Sequence, residues 1–500
     1  MLLRPTIKDI RIIFYYLGKI VFGIGLFALL AVIIGIIFKE WEPLNDFLLT
    51  AGICFLWGLI SISLFKTEEE ISWLHGMLIV CICWLVAMFL GAIPLYLSGH
   101  YVSYLDSCFE AMSGLATTGL TLIVDLDHFS FTHNFWRHLM MFIGGQGIVI
   151  VAISFFTRGY GGAFKMYVGE AREERILPSI VSTAHFILLV SVVYLILGTA
   201  VLSAICVAEG MRLPSAIFNG LCIFMAGFDT GGFTPYSQNI YYYHSFIFEL
   251  VSVIIMILGT LNFKLHYCLW AGKHKELLKD IEIITFFITS MLIFLIVLIG
   301  LFQTGIYNHI VIYFRKGFYH LISAHTGTGF SIIYPNQIRR EWSALAILGL
   351  ILAMSLGGST CSTTGAIKAL RIGVIFKTIS QEIKKILLPE LSVVVEKFHH
   401  TKDLVLEDKQ IRSVFLITLC YIFLYVLGAL VAVGLGYPFL EAIFESVSAS
   451  ANVGLSTGIT QVSMPALLKI IYILQMWIGR LEFMSIFTLL GFLISIIKGR

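Results

Sequence analysis

The feature that most constrains this chain is a window of fifteen residues that recurs four times at wide spacing. Each copy ends on small residues and a glycine, and an apolar residue follows. The four windows are LDSCFEAMSGLATTG at 105–119 (window 1), FNGLCIFMAGFDTGG at 218–232 (window 2), RKGFYHLISAHTGTG at 315–329 (window 3) and LEAIFESVSASANVG at 440–454 (window 4). Similarity in a fixed register indicates a repeat architecture. The closing glycines lie 113, 97 and 125 residues apart, so each repeat must contain other elements as well.

Composition shows what those elements are. The chain is 58% hydrophobic, against about 45–50% apolar residues in a soluble domain. Its long apolar runs predict an all-α integral membrane protein that crosses the lipid bilayer many times. The first apolar run has no small-residue cleavage site, which favours an uncleaved first helix over a signal peptide.

Ten membrane spans account for the apolar runs. Two of them, 12–38 and 45–65, form an extra N-terminal pair without a window. The other eight flank the four windows, so each repeat is a span, a short helix with a glycine loop, and a span. The predicted units are 1–70 for the extra pair, 71–157 for repeat 1, 158–272 for repeat 2, 273–385 for repeat 3 and 386–500 for repeat 4.

Positive charge predicts the orientation of these spans. Loops on the face of the two termini contain 24 Lys and Arg residues, whereas the opposite face contains eight. Because Lys and Arg concentrate in cytoplasmic loops, both termini are predicted to be cytoplasmic and every window to enter from outside.

The windows are predicted to line a pore. Non-helical backbone at membrane depth is tolerated only where it is buried in protein or faces water. Four such loops entering from one side converge most simply on a pseudo-fourfold axis. Their carbonyl groups could then replace the hydration shell of a cation, and the C-terminal ends of the short helices would favour positive charge there. A glycine that only allows close helix packing is the alternative for any single window.

Several motifs of this chain resemble the superfamily of potassium transporters that includes the Trk, Ktr and plant HKT proteins. Within it, the chain resembles the bacterial Trk membrane subunit. The resemblance rests on WRHLMMFIGGQGIVIVAI at 136–153, TGGFTPYSQNI at 230–240, LGTLNFKLHY at 258–267, LGGSTCSTTGAIKALR at 356–371 and MWIGRLEFMSIFTLL at 476–490.

The resemblance implies a potassium filter at the end of each window. Its residues are Thr117, Thr118, Gly119, Thr230, Gly231, Gly232, Gly327, Thr328, Gly329, Asn452, Val453 and Gly454. Glycine at the key position of all four loops goes with potassium selectivity in the family, so Gly119 favours potassium. Two sequences depart from the family pattern, namely His325-Thr326-Gly327 in window 3 and Phe228-Asp229 before the second filter strand.

A gate is predicted below the filter. The span at 342–380 is interrupted by Gly357, Gly358, Ser359, Thr360, Cys361, Ser362, Thr363, Thr364 and Gly365, here called the interrupting segment. Such a run is poor helix, and the resemblance implies an intramembrane loop that blocks the pore. Arg480 lies deep in the last predicted span, where a charged residue is costly unless it faces water or a partner. We therefore assign Arg480 to the gate, with pairing to Glu482 as the structural alternative.

Other charged residues are weaker candidates. Asp125, Asp127 and Asp229 could concentrate cations at an outer mouth, although loop carboxylates are usually only solvated. His399 and His400 could suggest a metal, but without further ligands two histidines are expected on the surface.

The sequence thus predicts potassium uptake across the bacterial plasma (inner) membrane, with potassium as the transported and bound ion. No cofactor, nucleic acid or catalytic residue is expected in this chain. The alternatives are a sodium-permeable or proton- or sodium-coupled cation carrier (a symporter), and a polytopic membrane enzyme. The family forms homodimers and works with a cytosolic nucleotide-binding ring, which would contact basic loops such as 264–279 and 377–412.

Overall fold

The computed structural model describes residues 6–123, 125–148, 160–170, 179–389 and 394–498, which are predominantly helical. The N-terminal pair consists of Ile7–Phe38 and Trp41–Leu64. Repeat 1 contains Trp73–Leu97, Tyr104–Leu115 and Phe131–Gln146. Repeat 2 contains Tyr160–Gly169, Ile180–Ala208, Leu213–Phe228, the 3-10 helix Asn239–Tyr243, Phe246–Thr260 and Phe263–Trp270.

The second half of the chain, predicted to form repeats 3 and 4, is also mainly helical. Repeat 3 contains the 3-10 helix His274–Lys279, Ile281–Thr304, Ile310–His325, Pro335–Glu341, Ala344–Ser355 and Ala369–Leu387. Repeat 4 begins with a two-stranded antiparallel hairpin, Lys397–His399 and Asp403–Val405, in which Lys397 pairs with Val405. Its helices are Asp408–Gly434, Phe439–Ser450, Ala466–Leu481 and Met484–Lys498.

Six of the described helices are long and apolar enough to cross a membrane, or eight spans if two bent helix pairs each count as one. The count of ten therefore stays a prediction. Part of the predicted span 135–156 lies outside the described residues, and the predicted span 342–380 is interrupted between Ser355 and Ala369.

Two spans predicted as continuous are bent, and here the sequence interpretation is wrong. The predicted span 244–270 bends by 105° after Thr260, and 464–497 bends by 113° after Leu481. At the first bend Asn262 starts a new helix, because its side chain accepts a hydrogen bond from the backbone N–H of Lys264. At the second, Glu482 and Phe483 adopt positive φ angles of 51° and 73°. Both halves of each pair are apolar, so hydropathy does not reveal the bend.

The N-terminal pair is attached to repeat 1 at both ends. The carboxylate of Glu40 accepts hydrogen bonds from the backbone N–H groups of Phe131 and Thr132, both at 2.9 Å, and thereby caps the helix Phe131–Gln146. At the other end His75 contacts Asp9 at 2.7 Å. The extra pair is thus part of the packed protein.

Candidate functional site

The four windows share one local geometry. Their helices end at Leu115, Phe228, His325 and Ser450, in each case four residues before the closing glycine. The residue two positions after each helix end has positive φ: Thr117 at 53°, Thr230 at 51°, Gly327 at 71° and Asn452 at 56°. The next N–H group then bonds back to the helix, as from Thr118 to the carbonyl of Ser113 at 2.8 Å. Each chain therefore leaves its helix in the same direction.

The closing glycines interlock in a circle. A Cβ atom added to Gly119 would clash with the carbonyl oxygen of Gly231 in window 2. The same holds for Gly232 against Thr328 in window 3, for Gly329 against Val453 in window 4, and for Gly454 against Thr118 in window 1. The circle closes in chain order. The structure therefore brings together the residues predicted for a filter, at 117–119, 230–232, 327–329 and 452–454, in one closed arrangement that we call the ring. Glycine is required here because each position combines positive φ with backbone contact.

The ring is buried, and it opens on one side to a cavity. Thr117, Thr118, Thr230 and Thr328 have no exposed surface, and neither has Asn452. The cavity is lined by the closing glycines of windows 1, 3 and 4 and by polar residues that follow them, including Thr121 and Ser331. Carbonyl oxygens in such a buried ring are suited to binding a cation that has lost part of its water.

Side chains on the window helices form hydrogen bonds to the non-helical segments that follow the ring. Glu445 accepts hydrogen bonds from the backbone N–H of Thr457 at 2.8 Å and from the hydroxyl of Ser456 at 2.5 Å. Glu110, at the equivalent place in window 1, accepts from the backbone N–H of Leu122 at 3.0 Å and pairs with the buried Arg137 at 2.7 Å. We did not predict this role, although windows 1 and 4 share this glutamate at one offset, which is the signal that could have revealed it.

His325 explains why window 3 departs from the family pattern. Its ring is buried, contacts the hydroxyl of Thr289 and the carbonyl of Leu356 at 2.8 Å each, and stacks on Phe286. The imidazole therefore fixes the end of the window helix to the interrupted span rather than facing the ring.

The interrupting segment lies directly against the ring. The single hydroxyl proton of Thr363 is shared between the carbonyl oxygens of Phe228 and Gly259, which lie 3.0 and 2.9 Å from the hydroxyl oxygen. The same hydroxyl lies 3.2 Å from that of Thr230. A Cβ atom on Gly365 would clash with the carbonyl of Ala451 at the end of the window 4 helix. The prediction of a non-helical interruption in this span is confirmed, while its role as a gate stays a prediction.

Arg480 joins the interrupting segment to window 1. Its guanidinium donates to the carbonyl of Thr363 at 2.6 Å, to the carbonyl of Gly144 at 2.6 Å and to the hydroxyl of Thr117 at 3.2 Å. The structure shows Glu482, the partner considered for Arg480, bound to Arg371 and 3.7 Å from Lys368. The carboxylate of Glu482 thus anchors the helix that follows the interrupting segment.

Two expectations about charged residues are wrong. Asp229 is fully buried and accepts a hydrogen bond from Gln146 at 2.6 Å, so it is not a solvated carboxylate at an outer mouth. His400 is also buried, within 3.2 Å of a carboxylate oxygen of Asp280, and not on the surface. The sequence around each residue does not reveal that segments distant in the chain cover these side chains.

Asp125 and Asp127 behave as loop residues. Asp125 is exposed, and the hydrogen bond from His128 holds its pKa below the ordinary range. Asp127 accepts a hydrogen bond from the backbone N–H of Ser237 at 3.1 Å and so ties the loops after windows 1 and 2 together.

Long apolar helices, broken helices and a buried ring of backbone carbonyls define an integral membrane protein of the transporter class. Comparison with known proteins gives the family. The family model TrkH, described as cation transport protein, matches residues 45–494, so this chain belongs to the TrkH family of cation transport proteins. The family is one of transport proteins, and this excludes the polytopic enzyme considered above.

The relatives cover nearly the whole chain. An uncharacterized cation transporter of Methanocaldococcus jannaschii is 33% identical over 97% of this chain and 96% of its own length. The Trk system potassium uptake protein TrkG of Escherichia coli is 27% identical over 96% of this chain and 98% of its own. The crystal structure of the potassium transporter TrkH from Vibrio parahaemolyticus has the same fold, with a TM-score of 0.80 at 22% identity, covering 96% of this chain and 98% of that one.

Proposed function

We propose that this protein takes up potassium across the bacterial plasma membrane through a channel-like pore, with the ring as its selectivity filter. The observation that supports this most directly is the cyclic contact of the four closing glycines with the carbonyls of the next window. The relatives named as potassium uptake proteins support potassium as the ion.

The ring would act by replacing water around the ion. The carbonyl oxygens of Thr118, Gly231, Thr328 and Val453 are the ones that abut the neighbouring glycines, so they form one layer of oxygen ligands. Backbone carbonyls can substitute for a hydration shell, and the C-terminal ends of four window helices add a favourable negative potential.

We propose the interrupting segment and Arg480 as the gate. The segment lies immediately beside the ring, and the positive charge of Arg480 opposes a cation that passes it. Two unit charges 4 Å apart repel by about 4 kcal/mol at an effective dielectric of 20, which water would reduce. The described arrangement, in which Arg480 bonds both Thr117 and Thr363, therefore corresponds to a closed pore.

The partners belong to the same proposal. We expect a homodimer that binds a cytosolic nucleotide-binding ring through the basic loops 264–279 and 377–412. The side chains of the loop 377–412 include both positive and negative charges. Lys384 bonds Glu396, whose pKa it lowers, and His399 has a raised pKa because it bonds Asp403.

Reconstitution into liposomes tests the proposal. We expect potassium flux at least tenfold above sodium flux, without a requirement for a proton or sodium gradient. Equal potassium and sodium flux would favour the sodium-permeable alternative. Flux that stops when the proton or sodium gradient is removed would favour the coupled carrier.

A further inference from the structure

The side chains of Asp280, Glu282 and His400 converge near the basic loops 264–279 and 377–412. Asp280 lies just before the helix Ile281–Thr304, Glu282 lies in its first turn, and His400 follows the first strand of the hairpin. One donor atom from each lies within 4.8 Å of the other two. The Nδ1 atom of His400 is 3.2 Å from an oxygen of Asp280 and 3.9 Å from an oxygen of Glu282.

These spacings suit one small cation. Zinc binds imidazole nitrogen and carboxylate oxygen at about 2.0–2.2 Å, so two donors of a tetrahedral site lie roughly 3.4 Å apart. Both carboxylates are fully buried and the imidazole is 5% exposed. Buried charges in proteins are paired or coordinate metals, and an imidazole with two carboxylates is a donor set for a divalent transition metal.

The neighbouring histidine shows what a different arrangement looks like. His399 also contacts two carboxylates, but through opposite ring nitrogens: Nδ1 to Asp403 at 2.8 Å and Nε2 to Glu276 at 3.0 Å. Carboxylates on opposite sides of a ring cannot share one ion with it. In His400 both carboxylates face the same nitrogen.

We propose that Asp280, Glu282 and His400 form a binding site for a divalent transition-metal ion such as zinc. The site connects the hairpin to the interrupting segment. The second oxygen of Glu282 accepts hydrogen bonds from the backbone N–H and the hydroxyl of Thr360, at 2.6 and 2.9 Å. The bound ion fixes the Glu282 carboxylate and thereby holds the interrupting segment beside the ring.

Zinc titration of the purified full-length protein, stripped with a chelator, tests the site by calorimetry. We expect one equivalent of zinc per chain, an affinity at least tenfold lower in His400→Gln, and an unchanged affinity in the matched control His399→Gln. Zinc should also raise the melting temperature of the wild type and of His399→Gln but not of His400→Gln. If His400→Gln does not fold, Asp280→Asn replaces it, because the amide oxygen can still cap the helix.

Three outcomes would overturn the proposal: no zinc bound by the wild type, equal affinity in the wild type and His400→Gln, or equal loss in His399→Gln. The first, together with stability that falls as His400 loses a proton, would mean that a protonated imidazole balances the carboxylates instead.

A second measurement concerns regulation and rests on the proposed function. Zinc should lower potassium flux through wild-type protein in liposomes severalfold and leave His400→Gln unaffected. Because calorimetry does not involve transport, a protein that binds zinc but carries no potassium refutes the transport proposal alone. A protein that carries potassium but binds no zinc refutes the metal site alone.

Discussion

The ring and the layer that adjoins it are built in opposite ways. The adjoining layer is formed by the interrupting segment and Arg480. The ring consists of backbone: four windows supply the same dihedral angles, and each glycine abuts the next carbonyl. The adjoining layer consists of side chains that occur once, chiefly Thr363 and Arg480. A fourfold set of backbone groups can define a fixed geometry for an ion, whereas a single guanidinium can move without disturbing that geometry. This difference suggests that selectivity and opening can be changed separately.

The two regions nevertheless meet at strained residues. Thr117 and Thr230 have positive φ, which is unusual for a β-branched residue and costs of order 1–3 kcal/mol each. The side chain of Thr117 bonds Arg480, and that of Thr230 contacts Thr363. The adjoining layer therefore helps to hold the conformation of the ring. The following predictions test how far the two regions can be separated.

The largest effect is expected for Gly119→Ser. A serine at φ 85° meets the carbonyl of Gly231, so strain and overlap together cost roughly 3 kcal/mol, or about a hundredfold in the preference for potassium over sodium. The ratio of potassium to sodium flux in liposomes measures it. The control is Gly210→Ser, because Gly210 has φ 93° and nothing within 4 Å of an added Cβ. Unchanged selectivity in Gly119→Ser would contradict the filter assignment at this position.

Removal of residues 359–364 should change the potassium flux and leave the selectivity nearly unchanged. Without the interrupting segment the barrier beside the ring falls, and we expect basal potassium flux to rise about thirtyfold, equivalent to ~2 kcal/mol. The potassium to sodium ratio should stay within about threefold of the wild type. A deletion protein that folds and inserts but gains no flux would indicate that the segment serves only packing.

Arg480→Ala should raise basal flux about tenfold, because it removes a positive charge from the proposed ion path and lowers the proposed barrier by ~1.4 kcal/mol. It should also weaken dependence on the cytosolic partner. The comparison variant is Arg137→Ala. Arg137 is fully buried and paired with Glu110, so its loss leaves a buried carboxylate and should destabilise the protein by about 3–5 kcal/mol. Wild-type flux and wild-type partner dependence in stable Arg480→Ala protein would refute its gating role.

The smallest effect is expected for Thr363→Val, which keeps the shape of the side chain but removes its hydroxyl. The hydrogen bond that its one proton shares between the carbonyls of Phe228 and Gly259 is lost, at a cost of about 1 kcal/mol. Flux should rise about fivefold and selectivity should fall by less than twofold. A large loss of selectivity would show that the two regions are not separable at Thr230.

How much the sequence predicts depends on whether the signal is local in the chain. The register of the windows and the break at 357–365 follow from local patterns of glycine and small polar residues, and the structure places a helix end and a non-helical segment there. The bends after Thr260 and Leu481 do not follow, because apolar composition is the same on both sides of each bend.

The sequence does not predict contacts between side chains that are far apart along the chain. Buried Asp229 accepts a hydrogen bond from Gln146, 83 positions away, and the contact of His400 with Asp280 joins residues 120 positions apart. The sequence does point to Arg480, because a charge in an apolar span is conspicuous. Its partners include the backbone carbonyls of Gly144 and Thr363, and no sequence pattern marks an accepting carbonyl.

The circular contact of the windows also has a consequence for synthesis of the chain. The last contact joins window 4 to window 1, where Asn452 donates to the hydroxyl of Thr118 across 334 positions of sequence. At 5–20 residues per second, the ribosome needs roughly 17 to 67 s to extend the chain from one to the other. Throughout that time the first three windows lack their contacts with window 4, so the ring is incomplete. The ring can therefore close only after window 4 has been made.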